Sequence, residues 1–115
     1  MAIIDWEQFN ENFQYYDKET IGLVIENFLE ESDDRLCKME KNINDRDFEN
    51  LSFNSHSFKS VIGNFMAPKP YDVCRNLEEL AKQKVETDLH VIFSELKTLT
   101  NGLKSELIDY KKKNL

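Results

Sequence analysis

Apolar residues in this chain return at steps of three and four, and very little in the sequence breaks that rhythm. Ile21, Val24, Ile25, Phe28, Leu29, Leu36, Met39 and Ile43 form one stripe, and Leu89, Ile92, Phe93, Leu96, Leu99, Leu103 and Leu107 form another. A period of 3.6 puts such positions on one face of an α-helix, whereas a half-buried strand needs strict alternation. Three Gly and two Pro in 115 residues leave too few turn formers for an all-β domain. The sequence therefore predicts an all-α fold in a single domain over residues 1–115, with eight Phe to help fill one core.

Five helices are expected. A short first helix follows Asp5, with Gln8 at capping-box spacing and Ile4 and Phe9 placed as a hydrophobic staple; Trp6, Phe9 and Phe13 would cover one end of the bundle. The second helix starts after Asp17, and the acidic run Glu30-Glu31-Ser32-Asp33-Asp34 falls partly on its outer face. Asn42 to Asp47 reads as a polar turn carrying a new N-cap, and the third helix runs from about Phe48 to Phe65. Ala67-Pro68-Lys69-Pro70 breaks the chain, because proline cannot continue a helix interior. A fourth helix is expected over roughly Tyr71 to Lys84, with Val73, Cys74, Leu77, Leu80 and Ala81 as its stripe; Thr87 or Asp88 would cap the fifth. Short connections favour antiparallel neighbours. The expected architecture is an up-and-down antiparallel four-helix bundle with a short extra N-terminal helix. Gly102 interrupts good helix formers at a cost of about 1 kcal/mol, and nothing in the sequence accounts for it.

Charge and cysteine usage exclude several function classes. The formal net charge is −7, and the one basic run, Lys111-Lys112-Lys113, lies at the very end. Binding of DNA or RNA calls for a basic patch, so nucleic acid is not an expected partner. Cys37 and Cys74 form neither a CxxC motif nor a disulfide framework, and two inert, reduced thiols in a cytoplasmic protein are expected. The N-terminus has no basic stretch followed by an apolar run, and no stretch of about 18 apolar residues exists to span a membrane.

The third helix carries the chemistry. At 100° per residue, with His56 set at zero, Leu51, Phe58, Ile62 and Phe65 gather on the far side as the core-facing stripe. His56 points to solvent, with Ser52, Lys59, Ser60 and Gly63 as its neighbours. Helix surfaces usually carry long, strong helix formers, so three small residues here suggest clearance for another protein's surface. An imidazole that is largely neutral at cellular pH can attack a phosphoryl group, and an ammonium such as Lys59 can stabilise the oxygens that carry the developing charge. Phe53 lies about 60° from His56 on the wheel; it belongs either to a docking patch or partly beneath the first helix. His90 has no comparable neighbours and reads as a surface residue. A metal site built from His56 and His90 lacks any ligand spacing.

His56-Ser-Phe-Lys59-Ser60, followed by Gly63-Asn64-Phe65 and Ala67, resembles the motif of histidine-containing phosphotransfer (HPt) domains. Cys74-Arg75-Asn76-Leu77-Glu78 resembles the start of that family's next helix, and Phe28-Leu29-Glu30 with Arg35-Leu36 resembles its upstream segment. Met66 stands where the family usually has Gly, Ser55 replaces the usual Ala, and Pro68 and Pro70 stiffen the turn that follows.

The resemblance implies a phosphorelay intermediate. His56 would accept a phosphoryl group from a kinase or a receiver aspartate and pass it to a response-regulator receiver aspartate. Lys59 would give electrostatic support, and Ser52, Phe53, Ser60, Gly63 and Asn64 would form the receiver docking surface; the residues themselves suggest no role for Asn64. No intrinsic cofactor is implied, since the Mg²⁺ of the exchange belongs to the receiver. The chain has no glycine-rich nucleotide loop or Walker lysine motif, so it is expected to be a phosphocarrier without autokinase activity. Partners would be receiver domains and a sensor or hybrid histidine kinase. A monomer is expected, and the start at Met1 favours a free-standing chain. Two rivals share the helical frame. One is an adaptor that binds receivers without carrying phosphate. The other is a kinase dimerisation domain, whose phospho-accepting His is typically followed by an acidic residue, where Ser57 stands here.

Overall fold

The computed structural model describes residues 2–115, which form five helices in the order α1 (Trp6–Phe13), α2 (Lys18–Asn44), α3 (Phe48–Gly63), α4 (Pro68–Lys82) and α5 (Leu89–Asn114). No strand occurs among the described residues. The four longer helices close a ring: α3 packs on α2 and α4, and α5 packs on α4 and α2. α2 has 27 residues, about 40 Å of helix at 1.5 Å per residue, which matches the 42 Å long axis of the molecule.

The predicted stripes form the core. Leu51, Phe58 and Ile62 of α3 are fully buried against Ile25, Phe28 and Met39 of α2, Cys74 and Leu77 of α4, and Leu96, Leu103 and Leu107 of α5. Phe28 stacks on Phe58 at 6.1 Å and meets Phe65 edge-on at 5.1 Å, so three aromatic rings lock α2 to the end of α3. Burying one such side chain contributes about 1.5–3 kcal/mol. Val24, Leu29, Ile92 and Leu99 are only partly covered, at the margins of the stripes. The acidic run faces outward as expected except for Ser32, which is completely buried.

α1 seals one end. Ile4 and Phe9 are buried as a staple, and the Asp5 carboxylate accepts from the Gln8 backbone N–H at 3.2 Å. Trp6 stacks on Tyr110 of α5, and the Asp5 N–H donates to the Met66 carbonyl at 2.8 Å. Ile3 and Ile4, ahead of α1, are strapped to α5, since their N–H groups donate to the Glu106 carboxylate at 2.6 and 3.1 Å. Gly102 gains a structural role here: a Cβ at that position would overlap Cδ1 of Ile3. The glycine is the seat for the crossing strap.

Several boundaries differ from those expected. α4 begins at Pro68 instead of Tyr71, because prolines in a first turn lack only amide hydrogens that have no helical partner anyway. α3 ends at Gly63 and α4 at Lys82. Asp88 occupies the N-cap position of α5 with a left-handed backbone, and no side chain caps that helix. The ends of α2 and α4 also bypass glycine. Arg46 and Lys84 adopt φ of 54° and 55°, and Asp47 N–H to Asn42 O with Val85 N–H to Leu80 O close paired Schellman turns.

Candidate functional site

His56 sits in the middle of α3 with 61% of its side chain exposed, opposite the buried face of Leu51, Phe58 and Ile62. It does not stand alone. Nδ1 lies 2.9 Å from Oε2 of Glu78, which projects from α4 and is itself only 6% exposed. The other carboxylate oxygen accepts from Nζ of Lys59 at 2.8 Å, and Nζ of Lys82 lies 3.3 Å from Oε2. One buried carboxylate thus ties together an imidazole and two ammonium groups from two helices.

Burial pushes the Glu78 carboxyl upward, but the hydrogen bonds from Lys59, Lys82 and His56 outweigh it and hold the group below the usual carboxylate range. Glu78 is therefore an anion at neutral pH and can only accept. In the neutral ring Nδ1 must then carry the proton, leaving the lone pair on Nε2. The geometry prepares one defined nitrogen of an exposed imidazole as a nucleophile.

Lys59 is placed differently from the open cation that the wheel suggested. It is 16% exposed, bonded to Glu78, and lies 5.9 Å over the Tyr71 ring. Its hydrogen bond to Glu78 raises its pKa, against a smaller opposing effect of burial. Gly63 also has a neighbour within the chain, since a Cβ there would lie 3.4 Å from the Tyr71 ring. That is ordinary contact distance, so Tyr71 packs against this turn of α3 while its ring lies under Lys59.

The other predicted residues lie before and after His56 along α3, out to its C-cap at Asn64. Ser52 is half-buried, and Ser60 is exposed with its hydroxyl donating to the His56 carbonyl at 3.2 Å. Phe53 is 70% exposed and not covered by α1. Asn64 is exposed at the end of α3, and its carbonyl accepts from the Asn12 side chain at 3.2 Å. Beside this face the Arg35 guanidinium donates to the Ser57 hydroxyl at 2.8 Å. His90 is exposed and remote in sequence from this cluster. Cys74 is buried and its thiol is pushed up to about 12 by that burial, so it has no nucleophilic role; Cys37 is exposed.

Glu78, Tyr71 and Lys82 were not singled out from sequence. A signal for Glu78 was present. Cys74, Leu77, Glu78 and Ala81 follow the core spacing of α4, so a carboxylate stood in a buried row and had to find cations.

An exposed helix-borne histidine thus lies beside a buried carboxylate on an all-helical frame. The Hpt domain family model matches residues 23–106, and the chain belongs to that family. Among solved structures, the chain is similar to the crystal structure of histidine-containing phosphotransfer protein B (HptB) from Pseudomonas aeruginosa PAO1. The TM-score is 0.90 at 17% identity, over 98% of this chain and 97% of that one, a likeness of fold. No curated protein matches the sequence. Among the described residues, no helix is long and apolar enough to cross a membrane.

Proposed function

We propose that His56 is the phospho-acceptor of a phosphorelay intermediate, taking a phosphoryl group from a kinase or a receiver aspartate and passing it to the receiver aspartate of a response regulator. The observation that carries this reading is the 2.9 Å contact between Nδ1 and Glu78, combined with a ring that is 61% exposed. The Nε2 lone pair attacks phosphorus, an N–P bond forms, and the P–O bond to the aspartyl carboxylate breaks with its electron pair on that carboxylate. The ring, still protonated on Nδ1, becomes cationic, and the Glu78 carboxylate stabilises that charge without needing to move. In the reverse direction neutral imidazole leaves. Lys59 adds positive charge on the same side and fixes the Glu78 carboxylate in place.

Residues 1–115 act as one HPt domain, read here as an up-and-down antiparallel four-helix bundle with a short extra N-terminal helix. The short connections at 45–47, 64–67 and 83–88 support that topology. Ser52, Phe53, Ser60, Gly63 and Asn64 form the receiver docking surface. Phe53 supplies the apolar contact, and the small residues give access to the ring. The protein is a cytoplasmic monomer with no cofactor of its own and no autokinase activity, and the receiver brings the Mg²⁺. Incubation with a phosphorylated receiver and Mg²⁺ tests the reading. Acid-labile, base-stable phosphate on the chain, lost in His56→Gln, supports it; binding of the receiver without transfer would favour a phosphate-free adaptor.

A further inference from the structure

Two lysines hold Glu78, and their surroundings differ. Lys59 is 16% exposed, lies over Tyr71, and has its own oxygen of the carboxylate at 2.8 Å. Lys82 is 55% exposed, reaches the carboxylate at a longer 3.3 Å, and does so at Oε2, the same oxygen that receives Nδ1 of His56. Lys82 also lies 3.9 Å from Glu79, an exposed and weak alternative partner. The first lysine is a pin. The second is a loosely held ammonium sharing one oxygen with the imidazole.

The space around Lys82 is open. It lines a groove with Ser52, Ala81, Lys84 and Arg46, and of these Ser52 precedes His56 on α3 whereas Lys59 follows it. Ser52, with its small side chain, is one turn before His56 on α3 and shares this groove with Lys82. Asp47 and Glu49 also border this groove, and Arg46 is engaged by Glu86 at 3.3 Å.

Building on the phospho-acceptor reading, we propose that Lys82 is a second catalytic cation, which leaves Glu78 and moves to the phosphoryl oxygens on Nε2 of His56. In the free protein the carboxylate is shared by three donors. Once the ring carries a phosphoryl group, its Nδ1–H becomes a stronger, charged donor to Oε2, and a doubly charged acceptor appears beside it. The long, exposed side chain of Lys82 exchanges a crowded carboxylate oxygen for that acceptor, while Lys59 remains on Oε1 and keeps Glu78 in place.

Wild type, Lys82→Ala, Lys82→Arg and Lys59→Ala are compared for phosphoryl uptake from a phosphorylated receiver, and the phosphorylated forms are titrated by ³¹P NMR. Lys82→Ala is expected to take up phosphate on the order of tenfold more slowly, a smaller loss than that of a rigid buried donor, and Lys82→Arg to recover most of the rate. A nearby cation favours the fully ionised phosphoryl group, so in Lys82→Ala the phosphoryl titration moves to higher pH, which a purely structural role would not cause. Uptake by Lys82→Ala at the wild-type rate, or an unmoved ³¹P titration, overturns the assignment of Lys82 and leaves His56 as acceptor. Failure of the wild type itself to take up phosphate removes both.

Discussion

Oε2 of Glu78 lies 2.9 Å from Nδ1 of His56 and comes from a different helix, so the orientation of the imidazole depends on the packing of α4 against α3. The exposed group is presented by a buried one. That division fixes the tautomer in the absence of any partner and leaves Nε2 open.

Removing the carboxylate should therefore be felt at the ring. Glu78→Ala is expected to shift neutral His56 away from the Nδ1–H tautomer and to slow phosphoryl uptake by about 10-fold or more, the loss typical of deleting a group that orients a reactive one. Glu78→Gln keeps an acceptor for Nδ1–H and should retain the tautomer while losing the charge. ¹⁵N shifts of the ring nitrogens in the three proteins check this, together with uptake rates.

The same carboxylate sets a pH dependence of stability. Glu78 is held below its ordinary value of 4.5, so the folded protein binds that proton less tightly than the unfolded chain. Its stabilisation is complete above that ordinary value and is lost as pH falls through the lower folded-state value. Lys59, raised above 10.5, keeps its contribution below that pH and loses it only as alkali passes the folded-state value. Urea melts should show a loss of stability as pH falls below the ordinary carboxylate value of 4.5 that is shallower in Glu78→Gln, and no change from this pair near neutrality.

Met66 has φ of 56° at the end of the α3–α4 connection, where the resemblance led to an expectation of Gly. The left-handed region costs a side-chain-bearing residue about 1–2 kcal/mol, and glycine removes that cost while adding some unfolded-state entropy. Met66→Gly is expected to raise stability by about 0.5–1 kcal/mol, read from the urea midpoint at unchanged slope.

Two phenylalanines five positions apart on α3 should separate binding from folding. Phe58 is fully buried, and Phe58→Ala should cost about 3–5 kcal/mol. Phe53 is 70% exposed, and Phe53→Ala should stay within about 0.5 kcal/mol of wild type in stability. It should nevertheless weaken receiver binding measurably by calorimetry.

Much of this arrangement could be read from the residues before any coordinates. The three-and-four spacing specified which faces of α2, α3 and α5 are buried, and the wheel placed His56 opposite Leu51, Phe58 and Ile62. Contacts between helices were less accessible. Nothing within α3 says that Lys59 turns to a carboxylate on α4, or that Gly63 receives the Tyr71 ring. Those facts depend on the rotation and register of one helix against another, which local periodicity does not determine. Gly102 was opaque for the same reason, because its partner, Ile3, is about a hundred residues away in sequence. Pro68 misled in the opposite direction, being read as a breaker where the structure uses it to start α4.

The central claim is that Nε2 of His56 receives the phosphoryl group. ¹⁵N-labelled protein, phosphorylated by a charged receiver and examined by NMR for ¹⁵N–³¹P coupling, tests it atom by atom. Coupling to Nε2 of His56, with Nδ1 still carrying its proton, is the result expected. Coupling to Nδ1, or phosphate on any other residue, would contradict it.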